Sequence, residues 1–137
     1  MNMSWDIFVS NFPAEAKTVD DVPHDFVGKP IGTRHDIIIR IREIIPTAIF
    51  PDKSWGQIAG PGVEVEVRLG DHEIVRDFAF HIRGSEASAA CVADILRHLN
   101  LRAVDAESGE FFDMNRAADG IQKWKECREQ ILSKSAK

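Results

Sequence analysis

The sequence predicts an α+β protein in which a mainly antiparallel sheet carries its helices on one face. The first indication is a pair of segments, Val63–Leu69 and Phe78–Arg83, in which apolar and polar residues alternate. Such alternation is typical of strands with one buried side and one solvent-facing side. The second is a pair of apolar stripes at helical spacing, in residues 33–45 and 85–99. Together they predict a two-layer sandwich.

The composition is that of one folded domain spanning residues 1–137, with 44% hydrophobic and 28% charged residues. The formal net charge of -5 argues against a nucleic-acid-binding protein, which usually carries a basic surface. No apolar run approaches the roughly 18 residues that a membrane-spanning helix needs, and no basic and apolar leader precedes Trp5. We therefore expect a cytoplasmic protein that binds neither nucleic acid nor membranes.

Cys91 and Cys127 are the only cysteines, and they do not form a Cys-x-x-Cys motif. Both fall on predicted helices, so the favoured interpretation is two reduced residues in or beside the core. A disulfide or a reactive thiol is the alternative. Reduced thiols agree with the expected cytoplasmic compartment.

The first half of the chain predicts a strand, a long loop and a helix. Trp5–Val9 is the first strand. Residues 14–32 combine prolines, glycines and scattered apolar residues, which indicates a long ordered surface loop. The first helix begins after Thr33, a good N-cap residue, and ends before Pro46.

After this helix, Phe50–Lys53 is predicted as a turn and Trp55–Ile58 as a short strand that leads into the alternating hairpin. Ser85 is the predicted N-cap of the second helix. Asn100 is suited to the left-handed residue that closes that helix. Arg102–Asp105 is then a further short strand.

The last part of the chain predicts a strand at Glu110–Phe112 and a third helix capped by Asp113, with residues 133–137 fraying. The resulting order is β-loop-α-β-β-β-α-β-β-α. A ferredoxin-like variant with an added C-terminal helix is one arrangement that fits this order.

The register of the hairpin decides which charged residues meet. Two pairings keep the apolar residues on one face. One places Glu66 opposite Asp77, and the other places Glu64 opposite His81 and Arg68 opposite Asp77. Because opposite charges stabilise a cross-strand pair by roughly 0.2–1 kcal/mol and like charges destabilise it, we predict the second register.

The candidate binding residues lie on the solvent side of the hairpin or beside it. They are Glu64, Arg68, Asp77, His81, Arg83, Ser85 and Trp55. One interpretation is a solvated sheet face balanced by cross-strand pairs. The other is a binding surface, because a two-layer sandwich leaves one sheet face uncovered.

Two of these positions have alternatives of their own. Arg83-Gly84-Ser85 leads from a strand into a helix N-terminus, whose free amides attract anions, but a turn glycine and an N-cap serine explain it equally. Trp55 precedes Gly60-Pro61-Gly62, so it either lines a pocket or closes the edge of the core.

No motif identifies a reaction. The sequence has no nucleotide-binding glycine pattern and no Gly-x-Ser-x-Gly elbow. His81 has no second histidine or cysteine at the short spacing typical of zinc sites. We therefore expect no cofactor and no metal, name no catalytic residue and do not favour an enzyme.

Several segments together resemble a small family of bacterial proteins whose function is unknown. They are MSWDIFV at 3–9, KPIG at 29–32, SWG at 54–56, GPG at 60–62, FAFHIRG at 78–84 and SGEFF at 108–112. The resemblance extends to about Phe112. It implies a bacterial cytoplasmic protein and implies no reaction.

The expected function is a small non-enzymatic binding or interaction module that uses the open charged sheet face, for a protein partner or for self-association as a homodimer. The alternative is a small enzyme or ligand-binding protein with a pocket near His81, Glu64 and Trp55. A flat sheet face favours a protein partner, whereas a cleft that holds His81 and Trp55 favours a small ligand.

Overall fold

The computed structural model describes residues 4–116 of the chain. Within this range the structure contains eight strands, two α-helices and two 3₁₀ turns. In chain order they are β1 (Trp5–Ser10), a 3₁₀ turn (Val19–Asp21), β2 (Gly32–Thr33), α1 (Arg34–Ile44), β3 (Ile49–Asp52), β4 (Trp55–Gly60), β5 (Val63–Arg68), β6 (Ile74–Val75), β7 (Asp77–Gly84), α2 (Glu86–Leu99), β8 (Arg102–Asp105) and a 3₁₀ turn (Met114–Arg116).

Six of these strands form one antiparallel sheet in the order β3-β4-β5-β7-β1-β8, while β2 and β6 pair separately. The central part, β8-β1-β7-β5 with α1 and α2 as crossovers, has the order of a split β-α-β pair. The hairpin β3-β4 extends this arrangement on the β5 side. The predicted α+β two-layer sandwich is therefore confirmed, and the ferredoxin-like order accounts for four of the six strands.

The core lies between the sheet and the two helices. Alternate side chains of β1, β5 and β7 are buried, as a period of two requires, and they form one hydrophobic cluster with side chains of α1 and α2. Each fully buried aliphatic or aromatic side chain contributes about 1.5–3 kcal/mol. The largest buried side chains are Phe80, Ile7, Ile37, Ile41, Ile82, Ile95, Leu96, Val9, Val65, Val67 and Val92.

The helix ends follow the local chemistry of the sequence. The Thr33 hydroxyl accepts a hydrogen bond from the Asp36 amide at 3.1 Å, which begins α1. Asn100 adopts the left-handed conformation (φ 55°), and the Leu101 amide donates to the Leu96 carbonyl at 3.0 Å. This closes α2 as predicted.

The predicted hairpin register is wrong. The connection between β5 and β7 is longer than a tight turn, because it contains β6, which pairs with β2. In addition, β7 is aligned by β1, since Asp77 lies opposite Ser10. The two glutamates of β5 still lie opposite a basic residue and a histidine, but the partners differ from those predicted. The observed pairs are Glu64–Arg83, Glu66–His81 and Arg68–Ala79.

Three other segments differ from the prediction. Ile49–Asp52, part of which was predicted as a turn, is the edge strand β3, and such a strand tolerates Pro51. Glu110–Phe112 forms a single bridge, Phe111 to Val104, rather than a strand. The loop at 14–32 contains a 3₁₀ turn and ends in β2.

Met114–Arg116 form a 3₁₀ turn after Asp113, whose side-chain oxygen accepts from the Asn115 amide at 3.0 Å. The prediction of a third helix beyond this turn and of a frayed tail at 133–137 concerns residues outside those that the structure describes. Neither α1 nor α2 is long and apolar enough to cross a membrane.

Candidate functional site

The sheet face opposite the helices, which we call the open face, carries the candidate site. It consists of the side chains on β1, β4, β5, β7 and β8 that alternate with the core residues. These side chains are exposed or half-buried, except for Ser10 at the end of β1. Every predicted site residue except Ser85 lies on this face. They are Trp55 on β4, Glu64 and Arg68 on β5, and Asp77, His81 and Arg83 on β7.

Ser85 is an N-cap residue and does not belong to the open face. Its hydroxyl accepts from the Ala87 amide at 3.3 Å and donates to the Gly62 carbonyl at 2.6 Å. The Ser88 hydroxyl donates to the same carbonyl and accepts from the Glu64 amide at 2.9 Å. The start of α2 is therefore capped by the chain itself, which favours the N-cap interpretation over an anion site.

A polar row crosses the open face from β1 to β5. Asp6 lies opposite His81, and His81 lies opposite Glu66. The His81 Nδ1 is 2.6 Å from Asp6 Oδ1, and the Ser4 hydroxyl donates to the same carboxylate oxygen. This hydrogen bond holds the imidazole ring in one orientation against Asp6. Because Ser4 donates to the carboxylate and not to the imidazole, this trio lacks the order of a serine nucleophile and its base.

The open face carries acidic and basic residues on both β5 and β7. Glu64 and Glu66 of β5 lie opposite Arg83 and His81 of β7, whereas Arg68 is a basic residue of β5 and Asp77 an acidic residue of β7. Arg68 Nε lies 3.4 Å from Glu66 Oε2. Within the part of the chain that the structure describes, neither Glu64 nor Arg83 forms an ion pair, and the buried Arg83 Nε has no hydrogen-bond acceptor.

An apolar row runs beside the polar row. Phe8 lies opposite Val104 on β8 and opposite Ala79 on β7, and Val104 in turn bridges to Phe111. Phe8 is 51% exposed, although it is in the middle of β1, an interior strand that is paired on both sides. The row continues on β5 and β4 with Arg68 and Trp55. We call Phe111, Val104, Phe8 and Ala79 the apolar row.

A groove of about 1250 Å³ lies at one end of the open face. Its lining includes Phe8 and Ala79, together with residues 26–28 and 68–78. Two more exposed hydrophobic side chains belong to these segments, because Val27 is 72% exposed and Ile74 is 51% exposed. Of the predicted site residues, the groove contains Arg68 and Asp77 but not Trp55, Glu64, His81, Arg83 or Ser85.

The segment at 26–28 is tied to the end of the sheet. The Arg76 guanidinium donates to the Gly28 carbonyl at 3.1 Å, and the Ser10 hydroxyl donates to the Arg76 carbonyl at 3.2 Å. A Cβ atom at Gly28 would lie 2.4 Å from Ser10 Oγ, so only glycine allows this close approach.

An aromatic cluster supports the same segment. The Phe12 ring stacks on Phe26 at 5.5 Å between centroids and meets Phe111 edge-on at 5.6 Å. The Arg102 guanidinium lies 3.7 Å from the Phe111 ring centroid and donates to the Pro13 carbonyl at 2.6 Å. One wall of the groove is therefore held by aromatic packing and hydrogen bonds.

Sequence reasoning missed Asp6, Phe8, Val27 and Ile74. For Phe8 the signal was present, because strict alternation in Trp5–Ser10 places it on the side opposite to Ile7 and Val9. The apolar character of the whole segment concealed that alternation. Val27 lies in an irregular connection and Ile74 in the two-residue strand β6, which is too short for a period to assign a face.

The described residues contain no group of three histidine, cysteine, aspartate or glutamate side chains that could hold a metal ion. Cys91 is half-buried on α2. Burial, with a smaller contribution from the Asp94 charge, raises the pKa of its thiol to about 11. The thiol is therefore protonated near neutral pH, which disfavours the reactive-thiol alternative for this residue. Cys127 lies outside the described residues.

This thiol gives a first prediction. In a Cys127→Ser background, native Cys91 should react with a disulfide reagent at pH 8 at least about 100-fold more slowly than free cysteine, because few of its thiols are ionised. Absorbance of the released thiol measures the rate, and the same protein in denaturant is the control. A native rate equal to the denatured rate would show that Cys91 is not protected.

Comparisons with protein-family models, with curated proteins and with solved structures find no match for this chain.

Proposed function

We propose that this protein is a non-enzymatic binding module of the bacterial cytoplasm that holds a protein partner on its open face. The observation that carries the proposal is that Phe8, on an interior strand of the sheet, is 51% exposed within the apolar row. Contiguous apolar surface bordered by polar residues is typical of interaction sites. Here the polar row of Asp6, His81 and Glu66 provides that border.

The groove beside the apolar row supports the same proposal. Val27 and Ile74 add exposed apolar surface to that of Phe8. Since Arg76 and the aromatic cluster hold the wall at 26–28, a partner would meet a surface that is already ordered. A preformed surface lowers the entropy that is lost on binding.

A small enzyme or ligand-binding protein is the second candidate, and the hydrogen bond between Asp6 and His81 favours it. This bond orients the imidazole, and Nε2 forms no hydrogen bond within the described residues. Glu64 and Trp55 lie on neighbouring strands of the same face. The groove, however, is lined by none of Glu64, His81 and Trp55, so the geometry supports the binding module better.

The proposal predicts that Phe8→Lys abolishes partner binding. Tagged full-length protein is cross-linked in cells of its own source, and the products are compared by mass spectrometry. The wild type should yield specific adducts, whether with another protein or with itself, and Phe8→Lys should lose at least about 90% of them because a charge replaces the exposed ring.

The matched control is Ile39→Lys, which places the same charge at a 47% exposed hydrophobic position on α1, outside the open face. This variant should retain the adducts. Ile74→Lys, in the groove, provides a second test in case Phe8→Lys does not fold. Loss of the adducts in Ile39→Lys to the same extent as in Phe8→Lys would contradict the proposal. Full retention of the adducts in both Phe8→Lys and Ile74→Lys would also contradict it.

A further inference from the structure

We infer that the occupant of the open face is a second copy of this chain, related to the first by a two-fold axis that runs parallel to the strands between β5 and β7. The inference rests on the proposed function, because it names the partner of the same surface. It is drawn from the positions of the charges and aromatic rings that the strand register fixes.

The charge pattern of the open face is complementary to itself about this axis. Rotation about it places β5 of one copy over β7 of the other. Glu64 then faces Arg83 of the second copy, and Glu66 faces His81 of the second copy, because each pair shares a level in the sheet. Every one of these contacts also occurs in reverse, as two-fold symmetry requires.

Arg83 lacks an ion-pair partner within the described residues of its own chain. Glu64 is directly opposite Arg83 in the register, yet the two side chains form no ion pair within the described residues. A carboxylate from a second copy would lie near a guanidinium that the described part of its own chain leaves without a counter-charge.

The orientation of the axis is determined by the same charges. A two-fold axis across the strands, along the polar row, would place Glu66 against Glu66 of the second copy and Asp6 against Asp6 of the second copy. Like charges in direct opposition are destabilising. The axis parallel to the strands avoids both contacts.

The aromatic residues satisfy the same symmetry. Phe8 on β1 and Trp55 on β4 lie at one level of the sheet, through Ala79 and Arg68. The strands β1 and β4 are equally distant from the axis between β5 and β7. Phe8 therefore faces Trp55 of the second copy, which covers the exposed part of the apolar row.

The face is smaller than a standard interface, which favours a weak association. Its five strands about 4.8 Å apart and six residues of about 3.3 Å each give roughly 20 by 20 Å, or about 400 Å². A stable interface usually buries about 800 Å² per partner. We therefore expect a dimer that dissociates on dilution, with a dissociation constant in the micromolar range.

The test uses two single variants, Glu64→Arg and Arg83→Glu, in the full-length protein. Sedimentation equilibrium is measured from about 1 μM to about 1 mM, which brackets a micromolar dissociation constant. The wild type should convert from the mass of one chain to that of two. Each variant alone should weaken the dimer at least tenfold, because it places like charges in the interface.

The equimolar mixture of the two variants is the decisive measurement. In a mixed dimer, the new arginine at position 64 meets the new glutamate at position 83. The native Glu64 and Arg83 meet in the symmetry-related contact on the other side of the axis. The mixture should therefore dimerise to within about threefold of the wild type. A defect in folding cannot produce this recovery, since each chain keeps its own substitution.

A wild type that stays monomeric up to about 1 mM, or a mixture no stronger than the single variants, would overturn the inference. The proposed function is tested by the cross-linking experiment, independently of the dimer. If the protein stays monomeric but Phe8→Lys still removes adducts with another protein, the open face binds a different partner. If no adduct depends on Phe8, the proposed function fails, whereas the dimer is decided by the sedimentation measurements.

Discussion

Replacing Phe80 by alanine should lower the free energy of unfolding by about 3–5 kcal/mol. Phe80 is fully buried at the centre of the face that packs on the helices, and its ring meets Phe78 edge-on with 5.4 Å between centroids. Alanine leaves a cavity that the two-layer core cannot close fully. Urea denaturation followed by circular dichroism measures the change.

Phe8→Ala is the matched control, because Phe8 belongs to the adjacent strand β1 but points to the open face. With half of its surface already exposed, its truncation should cost about 1 kcal/mol or less in the dilute monomer. If the two substitutions lowered the free energy of unfolding equally, both rings would be buried, and the face that carries Phe8 would not be exposed.

Replacing Gly84 by alanine should cost about 2–4 kcal/mol. Gly84 has a φ of +84°, which costs a residue with a side chain about 1–2 kcal/mol. A Cβ there would also lie 2.8 Å from Ser88 Oγ and 3.1 Å from the Gly62 carbonyl oxygen. Ser88 joins Gly62 to the Glu64 amide, and each of these hydrogen bonds contributes about 1 kcal/mol.

Two other glycines separate the effect of a positive φ from the effect of close packing around the Cβ position. Gly109 has a φ of +73° but nothing near its Cβ position, so Gly109→Ala should cost only about 1–2 kcal/mol. Gly60 has open space and no positive φ, so Gly60→Ala should change the stability by less than about 0.5 kcal/mol. A cost at Gly84 no larger than that at Gly109, measured by thermal or urea unfolding, would show that the close packing of α2 on β5 does not matter.

The elements with strong local chemistry were predictable from the sequence. Thr33, Ser85 and Asn100 each use a side chain or a left-handed backbone to end a helix, and these interactions involve only neighbouring residues. The alternation in β5 and β7 assigned their buried faces, because a period of two is also a local property of the chain. The fold class followed from the order of these elements.

The hairpin register was not predictable, because it depends on distant parts of the chain. The alternation leaves shifts of two residues equally acceptable for the apolar face. The choice is made by β1, which aligns Asp77 with Ser10, and by β2, which pairs with β6 inside the connection. Neither contact can be inferred from the two strands alone.

The candidate site was predictable in part. The charged residues of β5 and β7 lie on one face, as the alternation required. The apolar row needed β1 and β8 to pair in a particular register, and the groove needed residues 26–28 to fold over the end of the sheet. Such tertiary contacts leave no periodic pattern in the sequence.

Coverage of the open face in the cell shows whether a partner occupies it. Hydroxyl-radical footprinting compares the oxidation of Phe8, Trp55 and Ile39 in living cells of the source with that in dilute purified protein. We predict that Phe8 and Trp55 are oxidised several-fold more slowly in cells while Ile39 is unchanged, because a partner covers the open face and not α1. Equal oxidation of Phe8 and Trp55 in cells and in dilute solution would contradict the account.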